Sequence, residues 1–272
     1  MTNLPTMSSA EQRRKAEEFK KLHEGEPFVI PNPWDAGSAK VLEALGFRAL
    51  ATTSSAFAFT LGRLDGQVTL AEVVEHVRVL DSATSLPVSV DLENGYGPGP
   101  RDAAEAIRHA AAAGAVGGSI EDWDAETGIY PLALAVERIA AASEAAAAID
   151  FPFLLTARAE NHVRGNPDLD DTITRLLAYE QAGASVLYAP GLRRAEEIRA
   201  ICQATSTPVN VLAHAGLTLR EIFEAGARRV SVGGGLAWTA IEAMARTAEE
   251  IRDDGDLSSL APGTRISAWL QD

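Results

Sequence analysis

The sequence predicts a (β/α)8 barrel, and three observations support that fold class. Short apolar or β-branched runs alternate along the chain with longer runs of Ala, Leu, Glu and Arg at helical spacing, and eight such pairs can be counted. Most of the short runs are continuously apolar, as expected for strands of a parallel sheet that are buried on both faces. The chain has 272 residues, close to the ~250 residues typical of one barrel of this kind.

Each element follows from its own stretch of sequence, strands from the apolar runs and helices from the periodic ones. The predicted strands are Phe28–Pro31, Ala49–Thr53, Val88–Asp91, Gly117–Glu121, Phe153–Ala157, Ser185–Tyr188, Val209–Leu212 and Arg229–Val232. The predicted helices are Ala36–Leu45, Leu70–Ser82, Arg101–Ala113, Leu132–Ala148, Asp170–Ala182, Arg194–Ala204, Thr218–Ala225 and Ala237–Arg252, with an extra helix before the barrel that ends near Lys21. Four helices are followed by a glycine, which tolerates the positive φ of a helix C-cap: Gly46, Gly114, Gly183 and Gly226.

The rival fold is a doubly wound open sheet, which also alternates strands and helices. No G-x-G-x-x-G pattern follows a predicted strand, and this weakens the dinucleotide-binding version of that fold. No linker, low-complexity segment or change of composition divides the chain. We therefore expect residues 1–272 to form a single barrel domain.

The composition restricts the classes of partner. Apolar residues make up 46% and charged residues 23%, which excludes general disorder. The 24 Lys and Arg residues against 38 Asp and Glu residues give a formal net charge of −14, which disfavours binding to nucleic acid or to an anionic membrane. One cysteine excludes a disulfide framework, and no apolar signal or membrane-spanning run is found, so we expect a cytoplasmic protein. The acidic excess can serve solubility or a cation site, and composition does not decide between them.

Polar residues that follow the predicted strands are the candidate site residues, because a barrel enzyme carries its chemistry at the C-terminal ends of its strands. Carboxylates follow strands two to four, and a single arginine, Arg158, follows strand five. Oxygen ligands from several strands suit Mg2+ or Mn2+, and an arginine opposite a metal suits a carboxylate or an enolate oxygen. The hydroxyl run Thr52–Ser55 can donate hydrogen bonds to a carboxylate. These residues indicate a site for a small oxyacid chelated by a divalent metal.

Some polar residues have a simpler interpretation. A single carboxylate after a strand is more often a helix N-cap than a ligand, and Asp35 and Asp102 are expected to be caps or first-turn charges. His76 and His109 lie within helical patterns and are expected on solvated helix faces. The three glycines 233–235 after strand eight can either cradle a phosphate or permit a tight turn.

Six stretches of the chain resemble the isocitrate lyase/phosphoenolpyruvate mutase superfamily. They are PNPWDAGSAKVLEALGF, TTSSAFAFTLGRLDG, VSVDLENGYG, GGSIED, LTARAEN and RRVSVGGG, and they occur in the family's order over residues 28–235. Each stretch is weak alone, but their combination is specific, so the chain is identified as a member of this superfamily of (β/α)8 barrels. Family members are typically tetramers whose last helix swaps onto a neighbouring barrel. The resemblance therefore implies a homo-oligomer, a dimer or tetramer with a swapped C-terminal helix.

The resemblance also implies a role for each matching residue. Asp91 is similar to the family's main Mg2+ ligand, and Glu93 stands in place of its second aspartate. Arg158 resembles the arginine that holds the oxo or carboxylate oxygen of the substrate. The other matches are to metal-shell carboxylates (Asp65, Glu121), to groups that bind the substrate carboxylate (Thr52, Thr53, Ser54) and to a position that can meet a second carboxylate (Asn210).

The region after strand four departs from the family. Its isocitrate and methylisocitrate lyases carry Lys-Lys-Cys-Gly-His there, and its phosphonate-processing members also use a lysine. Residues 121–130 read EDWDAETGIY, with no lysine, cysteine or histidine. A reaction that requires little from this loop is therefore favoured.

Three functions remain open. The first is an enzyme of the carbon–carbon lyase type that uses Mg2+ or Mn2+, binds a small 2-oxo acid and cleaves the bond β to its carbonyl, as in oxaloacetate decarboxylation. The metal and Arg158 would stabilise the enolate, and water, Tyr96 or Glu121 would protonate it. The second is a binding protein for a 2-oxo dicarboxylate such as 2-oxoglutarate that has lost lyase chemistry. The third is a methylisocitrate- or isocitrate-type lyase or a phosphonomutase.

Overall fold

Eight parallel strands form a nearly closed barrel in the computed structural model, which describes residues 9–261, 263 and 265–270, and the predicted (β/α)8 fold is confirmed. The strand order is β1-β10-β9-β8-β7-β4-β3-β2, and the Ala51 amide donates to the Pro31 carbonyl oxygen at 3.0 Å across the remaining gap. The strands, with a small separate hairpin of β5 and β6, are β1 Phe28–Ile30, β2 Leu50–Ala51, β3 Val88–Asp91, β4 Gly117–Glu121, β5 Trp123–Asp124, β6 Gly128–Ile129, β7 Leu154–Arg158, β8 Val186–Tyr188, β9 Val209–Leu212 and β10 Arg229–Ser231.

Helices connect the strands and cover the outside of the barrel. They are α1 Ser9–Glu24, α2 Ala36–Ala44, α3 Ser54–Thr60, α4 Leu70–Ala83, α5 Pro100–Ala112, α6 Leu132–Ala147, α7 Leu169–Gln181, α8 Ala195–Ala204, α9 Leu219–Glu224, α10 Gly235–Asp254 and α11 Ile266–Trp269. The Asp35 side chain caps α2 by accepting from the Ser38 amide, as expected. None of the helices formed by the described residues is long and apolar enough to cross a membrane.

The N-terminal helix α1 closes the lower end of the barrel, where the strands begin. Phe19 is fully buried there with Phe28 and Val116. A side chain at Gly117 would place its Cβ only 2.8 Å from the ring of Phe19. Gly117 at the start of β4 therefore leaves space for the ring of Phe19. Because α1 covers this end of the barrel, the open end is the one where the strands finish.

The structure differs from the sequence-based expectation at four places. Strand β7 ends at Arg158, one residue later than predicted, so this arginine is held by the sheet and not by a loop. The hydroxyl run continues into the short helix α3, and the acidic loop after β4 folds into the β5–β6 hairpin. His76 is buried, stacked on Phe57 with ring centroids 3.8 Å apart, so the expected solvated position is wrong. The segment between β2 and α4 contains Phe57, and it covers the face of α4 that carries His76.

Candidate active site

A cavity of about 340 Å3 opens at the C-terminal ends of the strands. Seven of the residues singled out in the sequence line it: Thr52, Thr53, Ser54, Asp65, Asp91, Arg158 and Asn210. Glu93, Glu121 and Tyr96 lie outside this lining, next to Asp91 and Arg158. The barrel therefore brings all of the candidate residues to one end of the molecule.

Arg158 is the centre of the charged groups in the site. One guanidinium nitrogen lies 2.8 Å from Asp91 Oδ1, and another lies 2.9 Å from both Glu121 Oε2 and Glu160 Oε1. The guanidinium also sits over the ring of Tyr188, 5.3 Å from its centroid. Although burial opposes the charge, the three carboxylates raise the pKa of Arg158, so the arginine is a permanent cation at the cavity wall.

Asp91 is fixed by neutral donors as well as by Arg158. Its Oδ1 accepts from the Ser119 hydroxyl at 3.2 Å and from the Glu93 amide at 3.3 Å, and its Oδ2 accepts from the Ser54 amide at 3.4 Å. Its own amide donates to the hydroxyl oxygen of Thr52 at 2.8 Å. These contacts from β2, α3 and β4 hold the carboxylate in one orientation at the end of β3.

The turn after β3 has a left-handed backbone at two residues that are not glycine. Glu93 has a φ of 47° and Tyr96 a φ of 60°. The Tyr96 hydroxyl donates to Glu93 Oε1 at 3.2 Å. Burial, followed by the carboxylates of Asp91 and Asp65, raises the pKa of Glu93 to about 7. Such backbone conformations persist where the surrounding structure fixes them, often at functional sites.

Negative charge exceeds positive charge around this site. Glu121 is only 5% exposed, and burial, together with the neighbouring carboxylates of Glu160 and Asp91, raises its pKa against the opposing effect of Arg158. Five carboxylates (Asp65, Asp91, Glu93, Glu121 and Glu160) face the two guanidinium groups of Arg158 and Arg164. Burial is the largest cause of the elevated pKa values of Glu93 and Glu121, and repulsion from the neighbouring carboxylates adds to it. A bound cation would relieve that repulsion.

Two residues of the charged cluster were assigned no role from the sequence. Glu160 is almost fully buried and contacts both arginines, at 2.9 Å for Arg158 and 3.3 Å for Arg164. Arg164 also lies 3.6 Å from Glu121, and its guanidinium is 3.4 Å from the centroid of the Trp123 ring in the β5–β6 hairpin. The available signal was the i,i+4 spacing of Glu160 and Arg164 after strand five, which pairs them on one turn.

The carboxylates do not converge on a preformed metal cage. Among the residues that the structure describes, no group of three or more His, Cys, Asp or Glu side chains is arranged to hold a metal ion. The carboxylates have other partners instead: Glu121 contacts the two arginines, and Glu93 accepts a hydrogen bond from Tyr96. Asp91 and Asp65 are the candidate carboxylates that also line the cavity.

A parallel barrel with an arginine and acidic residues at the C-terminal ends of its strands is the class of site that barrel enzymes use. A family model for phosphoenolpyruvate phosphomutase matches residues 19–252, so the chain belongs to this family, within the isocitrate lyase/phosphoenolpyruvate mutase superfamily. The expected superfamily is thereby confirmed.

Three similar proteins indicate what the family does. A solved structure from Burkholderia cenocepacia, named only as a lyase/mutase, has 50% identity and a TM-score of 0.93 over 95% of this chain and 97% of its own. An oxaloacetate decarboxylase of Bradyrhizobium is 30% identical over 81% of this chain and 78% of its own. A 2-methylisocitrate lyase of Halalkalibacterium halodurans is 29% identical over 83% and 73%. The expected enzyme class is confirmed at the level of the family, whose named members include carbon–carbon lyases.

Proposed function

We propose that this protein is a divalent-metal-dependent enzyme that binds a small 2-oxo acid and cleaves the bond β to its carbonyl through an enolate. The observation that carries the proposal is Arg158, a buried cation held by Asp91, Glu121 and Glu160 at the wall of an open cavity. A fixed positive charge at this position suits an oxygen that becomes negative during the reaction. The similarity to an oxaloacetate decarboxylase supports the same reaction class.

The acidic residues fit a divalent cation of the kind that keeps much of its water. Mg2+ binds through one or two carboxylates plus water and substrate oxygens, and Mn2+ accepts similar ligands. Asp91 and Asp65 would hold it from the cavity side, with Glu93 and Glu121 behind them. Burial and then the charges of Asp91 and Asp65 raise the pKa of Glu93, and this excess of negative charge supports the assignment. When bound, the ion would polarise the 2-oxo acid as a Lewis acid.

The residues of the chain supply binding and charge stabilisation. Thr53 and Ser54 line the cavity, where their hydroxyl groups can donate to the carboxylate of the substrate. Arg158 would face the carbonyl oxygen. For oxaloacetate, the C3–C4 bond breaks, CO2 leaves, and the electron pair of that bond forms the enolate of pyruvate, whose oxygen pairs with Arg158. The enolate then takes a proton at C3.

Water in the open cavity is the proton donor that we propose. Tyr96 is poorly placed for this role, because its hydroxyl donates to Glu93 and lies outside the cavity lining. The β5–β6 hairpin occupies the place of the loop that carries Lys-Lys-Cys-Gly-His in the related lyases. This hairpin is held in position, because Asn94 donates to Asp124 and to the Tyr130 hydroxyl, both at 3.0 Å. Residues 121–130 bring no lysine, cysteine or histidine to the cavity.

The test is a panel of substrates assayed after chelation and after return of Mg2+ or Mn2+. We expect turnover of a 2-oxo acid such as oxaloacetate that disappears with chelator and returns with metal. Asp91→Asn should lower kcat by at least about a hundredfold, because it removes a charge that orients both Arg158 and the cation. Asp150→Asn, at an exposed ion pair with Arg13, is the matched control and should retain activity.

Each other result selects one of the alternatives. Tight binding of 2-oxoglutarate without any product would identify a binding protein and contradict the catalytic proposal. Cleavage of 2-methylisocitrate or isocitrate, or rearrangement of a phosphonate, with no action on 2-oxo acids would favour the lyase or phosphonomutase alternative.

We infer further that the chain forms a homo-oligomer through its C-terminal helix. In α10 only Ala237 is buried, whereas Ile241, Met244, Ala248 and Ile251 form one apolar face at helical spacing. Met244 is 63% exposed and Ile251 is 37% exposed. A second copy of the chain is the partner that the family resemblance suggests, as a dimer or a tetramer.

The cytoplasmic location stays a prediction.

A further inference from the structure

Arg229, the first residue of β10, is a buried guanidinium group at the floor of the active-site cavity. It is 5% exposed and it lines the cavity. None of the ion pairs among the described residues includes it. Burial lowers its pKa to about 10, so the group still carries its proton at neutral pH. A buried charge without a counter-ion is costly, and such a group is expected to meet an anion.

The surroundings of Arg229 are polar and neutral. Its Nε donates to Asn210 Oδ1 at 2.8 Å, one terminal nitrogen donates to the Thr156 hydroxyl at 3.0 Å, and the other lies 3.2 Å from His23 Nε2. Burial, followed by the charge of Arg229, lowers the pKa of His23 to about 3, so this ring is neutral and adds no charge. A guanidinium group has five N–H donors, and the described contacts use three of them. Two donors remain for a ligand.

A continuous polar row links this floor to the mouth of the site. Arg158, Tyr188, Asn210 and Arg229 are successive register partners on β7, β8, β9 and β10. Arg158 and Tyr188 end their strands, whereas Arg229 begins its strand, so the row descends into the barrel as expected from the tilt of the strands. All four side chains line the cavity.

Hydrogen bonds between the side chains fix the lower part of the row. The Tyr188 hydroxyl bonds Ser231, the Ser231 hydroxyl oxygen accepts from the Asn210 amide at 3.0 Å, and Asn210 in turn accepts from Arg229. The two arginines therefore stand at the two ends of one row of packed side chains that lines the cavity. Such preorganised donors suit a ligand with an anionic group at each end.

We propose that Arg229 forms a second anion subsite, which binds the distal carboxylate of a dicarboxylic 2-oxo acid while the 2-oxo acid end lies at Arg158. This inference rests on the proposed function and specifies its substrate class. The cavity of about 340 Å3 is at the small end of ligand pockets, in agreement with a short dicarboxylate. A monocarboxylic 2-oxo acid would leave the charge of Arg229 without a partner.

The test compares matched pairs of ligands by titration calorimetry on the metal-loaded protein. The pairs are oxaloacetate with 2-oxobutanoate, and 2-oxoglutarate with 2-oxopentanoate, in which a methyl group replaces the distal carboxylate. The native protein should bind at least one dicarboxylate more tightly than its monocarboxylic partner. Arg229→Met should raise the Kd of that dicarboxylate by about tenfold or more and leave the monocarboxylate within about twofold, as expected for loss of one charged hydrogen-bonding partner.

Two further variants keep the proposal testable. Arg228→Met is the matched control, because this adjacent arginine donates to the Gly25 carbonyl oxygen at an exposed position. Asn210→Asp keeps Arg229 in place but gives it an internal counter-ion, so it should also weaken dicarboxylates selectively if Arg229→Met fails to fold.

The subsite and the proposed reaction can fail separately. Equal affinities within each ligand pair for the native protein, or equal losses for both ligands in Arg229→Met, would overturn the subsite. Selective, Arg229-dependent binding of a dicarboxylate without any turnover would support the subsite and contradict the catalytic proposal. Metal-dependent turnover of oxaloacetate that Arg229→Met leaves unchanged would support the reaction and contradict the subsite.

Discussion

At the scale of single residues, the buried Asp122 next to the charged cluster around Arg158 depends on its partners. It accepts from Arg175 at 3.0 Å, from the Tyr179 hydroxyl and from the Glu160 amide at 2.8 Å, and its side chain is 2% exposed. Arg175→Met would leave this carboxylate buried without its cation, and we expect the free energy of unfolding to fall by about 3 kcal/mol or more. Urea unfolding followed by circular dichroism measures the change.

The control for this prediction is an ion pair on the surface. Arg101→Met removes the partner of Glu105, and the Arg101 side chain is 87% exposed. Because water screens such pairs, this variant should leave the free energy of unfolding nearly unchanged. Equal losses in the two variants would show that burial does not set the strength of the Asp122 interaction.

Also at this scale, the sequence identified the residue types of the site better than their partners. Asp91 and Arg158 could be located because they follow apolar strands in a recognisable order. The roles of Glu160, Arg164 and Arg229 could not, because each depends on burial and on a contact with another strand or loop. A single sequence does not show which side chains of a tilted barrel strand point into the barrel, or how deep in the cavity they lie.

At the scale of elements, α1 carries a buried histidine that makes stability depend on pH. Burial, followed by Arg229, lowers the pKa of His23 from 6.5 to about 3. Between these values the unfolded chain binds a proton that the folded protein does not, so the fold loses stability as pH falls below 6.5. The loss reaches about 2 kcal/mol near pH 5.

His23→Gln tests this pH dependence, because glutamine can still accept from Arg229 but does not titrate. Relative to the native protein, the variant should lose about 2 kcal/mol less stability between pH 7 and pH 5, measured by urea unfolding at each pH. His76, whose pKa burial lowers to about 4, should contribute a slope of the same sign and of similar size over this pH range, and this slope remains in the variant. An unchanged slope in the variant would show that His23 is protonated in the folded protein.

At the scale of the whole molecule, the apolar face of α10 predicts association. Met244→Lys combined with Ile251→Lys places two charges on that face and should reduce the molar mass measured by light scattering to that of a smaller species. Glu242→Gln and Glu249→Gln, at exposed positions of the same helix, change the net charge by the same amount as the two lysines and should retain the native mass. A native protein that is already monomeric, or a double variant that keeps its mass, would contradict the role of this face.

The formation of one domain by residues 1–272 stays a prediction at this scale. The expected eight strand–helix pairs and the expected N-terminal helix all appear in the described part of the chain. The β5–β6 hairpin was missed because two strands of two residues each have no periodicity to detect.

The sequence by itself determined the fold class, the family and the end of the barrel where the candidate site residues lie, because apolar runs, helical spacing and motif order are local properties of the chain. Only the tertiary structure decided how the charges pair. Pairing of β7 with β4 places Arg158 against Glu121, and the Arg158 side chain also reaches Asp91 at the end of β3. The barrel also leaves Arg229 at the cavity floor without a carboxylate partner among the described residues, because strand tilt and burial are set by the whole barrel.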